Sequence, residues 1–119
     1  MIVVDSSVWI DYFTGKDNSQ ANKLDNILGL KPVAIGDLIL LEILQGFRND
    51  TDYQRAKQML SSLEQYQMFG HNMVTPCAEN YRTLRKRGIT IRKTADVIIA
   101  TFCIENNLPL LFCDKDFIP

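Results

Sequence analysis

The sequence predicts an α/β fold: a three-layer α/β/α domain with a central, mostly parallel sheet. Three observations carry this. Short, strongly apolar segments (Ile2-Val3-Val4, Pro32-Val33-Ala34-Ile35 and Leu110-Leu111-Phe112-Cys113) recur along the chain. Helix-length amphipathic stretches separate them, and that alternation marks βα crossovers. The strands lack an in/out alternation, as expected when both sheet faces are covered. A length of 119 residues fits one domain, taken as 1–119, with enough buried surface for one core.

Each element follows from its residues. Ile2–Val4 is β-branched and reads as a buried strand. Ser6 or Ser7 is expected to cap a helix through Phe13 that stops near Gly15. Residues 18–30 place Ala21, Leu24, Ile27 and Leu28 on one helical face. Residues 32–35 form the second strand, and Asp37 opens an apolar helix reaching Phe47. Thr51 is expected to cap a helix striped by Tyr53, Ala56, Met59, Leu60 and Leu63. Residues 67–69 read as a weak strand. Thr75-Pro76 is expected to open a helix running to Gly88, with proline at its first position. Thr94 is expected to cap a helix from Ala95 to about Asn106. Asn107 and Pro109 break it before the last strand, 110–113, which ends at Asp114. The chain stops soon after, so a short natural C-terminal tail is expected to be missing.

Composition excludes several classes. Hydrophobic residues make up 46% and charged residues 23%, which excludes disordered and fibrous chains. No apolar run is long enough to span a membrane, and no signal peptide is evident. Three cysteines without C-x-x-C spacing argue against a disulfide framework and for a reducing, cytoplasmic setting. His71 is the sole histidine, so catalysis, if present, falls to carboxylates.

Charge is unevenly spread. Between Arg82 and Lys93 the chain holds six basic residues (Arg82, Arg85, Lys86, Arg87, Arg92, Lys93) and no acid. Outside that segment seven basic residues face fourteen acids. The segment reads either as a solvated helix face or as a seat for nucleic-acid phosphate. Arg82, Arg85 and Lys86 share one helical face at spacings of three and four.

Four acids lie in apolar settings where carboxylates are costly to bury. Asp5 ends the first strand and Asp114 the last. Glu42 is the sole charge in Leu38–Leu44, and Asp96 precedes Val97–Ile104. In an open parallel sheet the carboxyl ends of the strands share one edge. Asp5 and Asp114 are expected there, with Asp96 at a helix N-terminus and Glu42 in reach. Converging carboxylates raise one another's pKa or require a cation, and oxygen-only ligands suit Mg²⁺ or Mn²⁺. Each acid also has a simpler role available: a cap for Asp5, a dipole partner for Asp96, a turn for Asp114 and Asp116, an ion pair for Glu42. Asp116 and Asp11 stand as supporting acids. Ser6 reads as an orienting hydroxyl or a cap. Trp9, Tyr12 and Phe13 read as core.

The segments Ile-Val-Val-Asp5-Ser-Ser-Val-Trp-Ile-Asp11, Leu-Leu-Glu42-Ile-Leu-Gln-Gly46, Thr94-Ala-Asp96-Val-Ile-Ile-Ala100 and Leu108-Pro-Leu-Leu-Phe-Cys-Asp114-Lys-Asp116-Phe117 together resemble the PIN-domain ribonucleases. The likeness is greatest to the VapC-type toxins of toxin–antitoxin pairs. The resemblance implies a five-stranded parallel sheet and an acidic quartet of Asp5, Glu42, Asp96 and Asp114 holding Mg²⁺ or Mn²⁺. It matches Asp116 to an accessory acid and Ser6 to a small hydroxyl residue. It also implies an endoribonuclease acting on RNA, usually a homodimer, inhibited by a cognate antitoxin. Phe112-Cys113 departs from the threonine common before the last acids. Two other readings stand beside this one. The first is a phosphatase using Asp5 as nucleophile, although Ser7 occupies the place of its usual second aspartate. The second is a non-catalytic module that keeps the fold. A helix apolar nearly all round after Asp96 also predicts an interface there.

Overall fold

The computed structural model describes residues 1–91 and 93–112. The order is β1 (Ile2–Val4), α1 (Ser6–Phe13), α2 (Ser19–Ile27), β2 (Val33–Gly36), α3 (Asp37–Gln45), α4 (Asp50–Ser61), β3 (Glu64–Tyr66), α5 (His71–Lys86), α6 (Thr94–Glu105) and β4 (Leu110–Leu111). Among the described residues the sheet has four strands, ordered β3-β2-β1-β4. All pairings are parallel: Ile2 registers with Val33, Val4 with Leu111 and Ala34 with Glu64. Right-handed crossovers put α1–α4 on one face and α5–α6 on the other, the three-layer arrangement expected.

The centre of the sheet is where the sequence is most apolar. Val3, Val4 and all four residues of β2 are buried. The edge strand β3 is polar, and its Glu64 and Gln65 stay exposed. Such an edge resists pairing with other chains. Trp9 is fully buried, stacked on Phe13 at 5.8 Å and edge-on to Tyr12 at 6.0 Å between ring centroids. The core reading of this trio holds. The helix α6 buries seven of its twelve residues and is tied to α5 by the Asn80 side-chain amide, which donates to the Thr101 hydroxyl at 3.0 Å.

Several element boundaries differ from expectation. The third strand is residues 64–66, not 67–69, because Met68 is used as a plug. Its side chain is fully buried against Gly36, where an added Cβ would sit 2.1 Å from the sulfur. The Met68 N–H donates to Asp37 Oδ1 at 3.0 Å, which bends the chain off the sheet. Helix α5 starts at His71, five residues before Pro76. The proline is interior, and its ring removes the hydrogen bond that would have reached the carbonyl of Asn72. Asn49 caps α4 in place of Thr51, accepting from the N–H groups of Thr51 and Asp52. Lys93, with no side-chain cap, precedes α6 in place of Thr94. Asp5, not a serine, caps α1.

Candidate metal centre and nucleic-acid interface

The turn after β1 builds the first part of the site. Asp5 adopts extended backbone geometry, and its N–H donates to the Leu111 carbonyl at 2.9 Å. It therefore sits where β1 and β4 finish side by side. The chain leaves β1 towards β2 on one side, whereas β4 lies on the other. That is the switch point at which parallel sheets bind ligands. Asp5 is 3% exposed. Its Oδ2 accepts from the Ser7 hydroxyl at 2.6 Å and from the Ser7 N–H at 3.3 Å, which leaves Oδ1 outside both bonds.

Glu42 reaches the same place from the second turn of α3. Burial raises its carboxyl above the ordinary 4.5, and the Asp5 charge raises it further. The Lys93 ammonium and a hydrogen bond from the Ser6 side chain pull it back. One oxygen, Oε1, is buried with no hydrogen-bond partner among the described residues. Asp5 also pushes up its other neighbour: the Cys103 thiol rises from 9.0 to about 11, first by burial and second by the Asp5 charge.

Asp96 lies in the first turn of α6 and is 4% exposed. There the N-terminal end of the helix dipole favours a negative charge. Helix α6 packs against α3, which carries Glu42. Asp114, Asp116 and Arg92 fall outside the described residues. Among the described residues no group of three metal-ligating side chains is assembled. Asp5 and Glu42 are a coupled pair, with Asp96 on the neighbouring helix. Asp11 serves the fold, its Oδ2 accepting from the side-chain amide of Asn18 at 2.8 Å.

Sequence reasoning gave Ser6 a role at the site and Ser7 only that of a helix cap. Both matter: the Ser6 side chain lowers the Glu42 pKa, and the Ser7 hydroxyl donates to Asp5. The signal was the position of Ser7 two residues after Asp5, where a capping carboxylate meets backbone and side-chain donors together. The cations Arg82, Arg85, Lys86 and Arg87 run exposed along the last turns of α5 and its cap, with Lys93 exposed just before α6. No helix among the described residues is long and apolar enough to cross a membrane.

A parallel sheet with acids buried at its switch point defines an α/β domain whose candidate site lies at the strand ends. The PIN domain family model matches residues 2–118, and the chain belongs to that family. It is 26% identical over 119 residues to the VapC ribonuclease Mb1587 of Mycobacterium bovis, covering 98% of this chain and 89% of that one. The solved structure of VapBC2 from Rickettsia felis, bound to a promoter DNA fragment, superposes with a TM-score of 0.76 at 20% identity. It covers 97% of this chain and 89% of that one. A toxin–antitoxin complex from Klebsiella pneumoniae gives a TM-score of 0.70 at 22% identity, covering 99% and 91%. These two likenesses are of fold.

Proposed function

We propose that this protein is a Mg²⁺- or Mn²⁺-dependent endoribonuclease acting as the toxin of a toxin–antitoxin pair. The observation that carries the proposal is the Asp5–Glu42 pair. Asp5 at the sheet's switch point raises the Glu42 carboxyl by its charge, and a buried Glu42 oxygen has no hydrogen-bond partner among the described residues. Such a pair is unfavourable without a cation, and a hard divalent ion suits oxygen donors. The ribonuclease name of a relative that aligns along nearly the whole chain supports the substrate class.

In this reading Asp5, Glu42, Asp96 and Asp114 hold the ion. When bound, the ion supplies an acidified water and positive charge at the leaving oxygen of an RNA phosphodiester. The chain's own residues do the rest. Ser7 fixes the Asp5 carboxylate through Oδ2, and Ser6 fixes Glu42. Asp96 or Asp114 accepts a proton through hydrogen-bonded water, so that 5′-phosphate and 3′-hydroxyl ends result. Arg82, Arg85, Lys86, Arg87, Arg92 and Lys93 hold the phosphate backbone and offset the repulsion of an acidic centre. Asp116 supports the quartet. An antitoxin partner, in line with the toxin–antitoxin complex from Klebsiella pneumoniae that shares the fold, and a homodimer complete the reading.

Incubating the protein with total RNA, with and without Mg²⁺, tests the reading. Cleavage that needs the ion and leaves 5′-phosphate ends is expected. Undiminished cleavage in EDTA overturns the metal role, and no cleavage under any divalent ion overturns the ribonuclease. A stable acyl-phosphate on Asp5 would instead point to a phosphatase.

A further inference from the structure

Lys93 is exposed like the cations of α5, yet it stands in a different place. Its backbone is extended and immediately precedes α6. Its carbonyl accepts from the Asp96 N–H at 3.1 Å, so Lys93 and the buried Asp96 share one turn. Helix α6 packs on α3. There the Lys93 ammonium acts on Glu42, against the raising effects of burial and of Asp5. Arg82 and Arg85 face elsewhere. They line an apolar groove between α5 and α6 that no carboxylate lines, and the Arg85 guanidinium lies over the Tyr81 ring, 5.6 Å from its centroid.

The ammonium does not occupy the buried oxygen of its neighbour. Glu42 Oε1 has no hydrogen-bond partner among the described residues, so Lys93 works on this carboxylate through its field and leaves that atom for a ligand. Charges in a partly buried site act on one another more strongly than in water. A positive charge so placed does two opposite things. It relieves the repulsion among the acids when no ion is bound. It also repels a divalent ion that comes to the same acids.

We infer that Lys93 is a built-in counter-ion of the carboxylate site: its ammonium stands in for part of the divalent ion's charge beside Glu42 and thereby sets how tightly the ion is held. Lys93 is a positioning residue in this role, because it acts on the ion through the field it shares with Glu42 and does not ligate it. It serves the acid site as well as the basic segment. The inference rests on the metal-dependent ribonuclease reading and deepens it, since ion affinity is then tuned by a residue outside the ligand set. The two effects of the ammonium have opposite signs, and that is what makes the role measurable.

Mn²⁺ titration of the full chain without RNA tests this, with free ion read by electron paramagnetic resonance. Lys93→Met keeps the stem and removes the charge, whereas Lys93→Arg keeps the charge. Lys93→Met should bind Mn²⁺ about fivefold more tightly at low salt, the scale of one solvent-screened charge pair. Lys93→Arg should bind it like the wild type. The gain should shrink in molar salt and in a Glu42→Gln background, where the coupled charge is gone. In EDTA, Lys93→Met should melt about a degree or two below the wild type. Tighter ion binding together with a lower ion-free Tm is the signature, because loss of a merely structural contact would weaken both. Arg85→Met, on the other side of α5, should leave Mn²⁺ affinity where it is. Unchanged or weaker Mn²⁺ binding by Lys93→Met overturns the inference. An equal gain in Arg85→Met also overturns it, since the summed field would then be the cause. A wild type that binds Mn²⁺ and cleaves total RNA, beside a Lys93→Met variant of equal ion affinity, removes the Lys93 assignment alone. A wild type that binds no Mn²⁺ removes the metal reading and this inference with it.

Discussion

The acid rim and the basic arm carry opposite charges in opposite ways. Asp5 and Asp96 are 3% and 4% exposed, placed by a strand end and a helix start that the sheet fixes. Arg82, Arg85, Lys86, Arg87 and Lys93 are all exposed, and the first three ride on a helix pinned to α6 by the Asn80–Thr101 hydrogen bond. Burial makes each acid individually costly and hard to replace. Exposure makes each cation cheap and nearly interchangeable. The rim is therefore built for a defined geometry, and the arm for a summed field.

Single substitutions should break the rim and only multiple ones the arm. Asp5→Asn keeps the shape and can still accept from Ser7, but it removes the charge at the switch point. RNA cleavage should fall by at least about a hundredfold, the usual scale for one lost electrostatic group at a reacting centre. Circular dichroism and Tm should show the fold intact. Wild-type rates in this variant would place the chemistry elsewhere. On the arm, the triple change Arg82→Ala, Arg85→Ala, Lys86→Ala should lower affinity for single-stranded RNA. It should flatten the log–log salt dependence by about 2, given roughly 0.7 per phosphate contact. A slope that stays put would mean that these cations do not touch the backbone.

The same contrast explains what the residues announced in advance. Asp5, Glu42 and Asp96 were legible because a charge inside an apolar run is conspicuous, and β1 and β2 because β-branched runs are. The third strand was not: Glu64-Gln65-Tyr66 is an edge strand without an apolar signal, and the more apolar Met68 is drawn under Gly36 instead. Pro76 misplaced the start of α5 because proline favours the first helical turn, whereas here tertiary packing on α6 outweighs a missing hydrogen bond. Such a bond is worth about 1 kcal/mol, and the ring clash adds more. Ser7 was hidden by its ordinariness, since only the folded turn shows its hydroxyl on Asp5.

Within the rim, the cost of like charge should appear as stability. Burial and Asp5 raise the Glu42 pKa above 4.5, so the folded state favours the protonated carboxyl. That contribution is fully present below pH 4.5 and is lost as pH rises through the raised value. At neutral pH the metal-free protein therefore carries a penalty that Glu42→Gln removes. The expected gain in Tm is at most a few degrees, because Glu42 is only half-buried and Lys93 already offsets part of the repulsion. The gain should vanish below pH 4.5 and shrink when Mg²⁺ is added to the wild type. A Tm that falls at neutral pH would mean that Glu42 is held by favourable pairing rather than by strain between acids.

The smallest effect reads the Asp5 charge from a bystander. The Cys103 thiol is pushed up to about 11 by burial and, secondarily, by Asp5. At pH 8 its thiolate fraction is then roughly one in a thousand, so alkylation in the folded protein should be slow. The raised pKa contributes stability below the ordinary 9.0 that is lost as pH climbs through about 11. In a Cys77→Ser, Cys113→Ser background, thiolate absorbance against pH isolates this group. Adding Asp5→Asn should lower the titration midpoint by a fraction of a pH unit, because burial, the larger cause, remains. Divalent ion bound at the rim should shift it the same way, since a nearby positive charge favours the thiolate. A midpoint that ignores both changes would mean that the field of Asp5 does not reach the underside of α6, leaving burial as the sole cause.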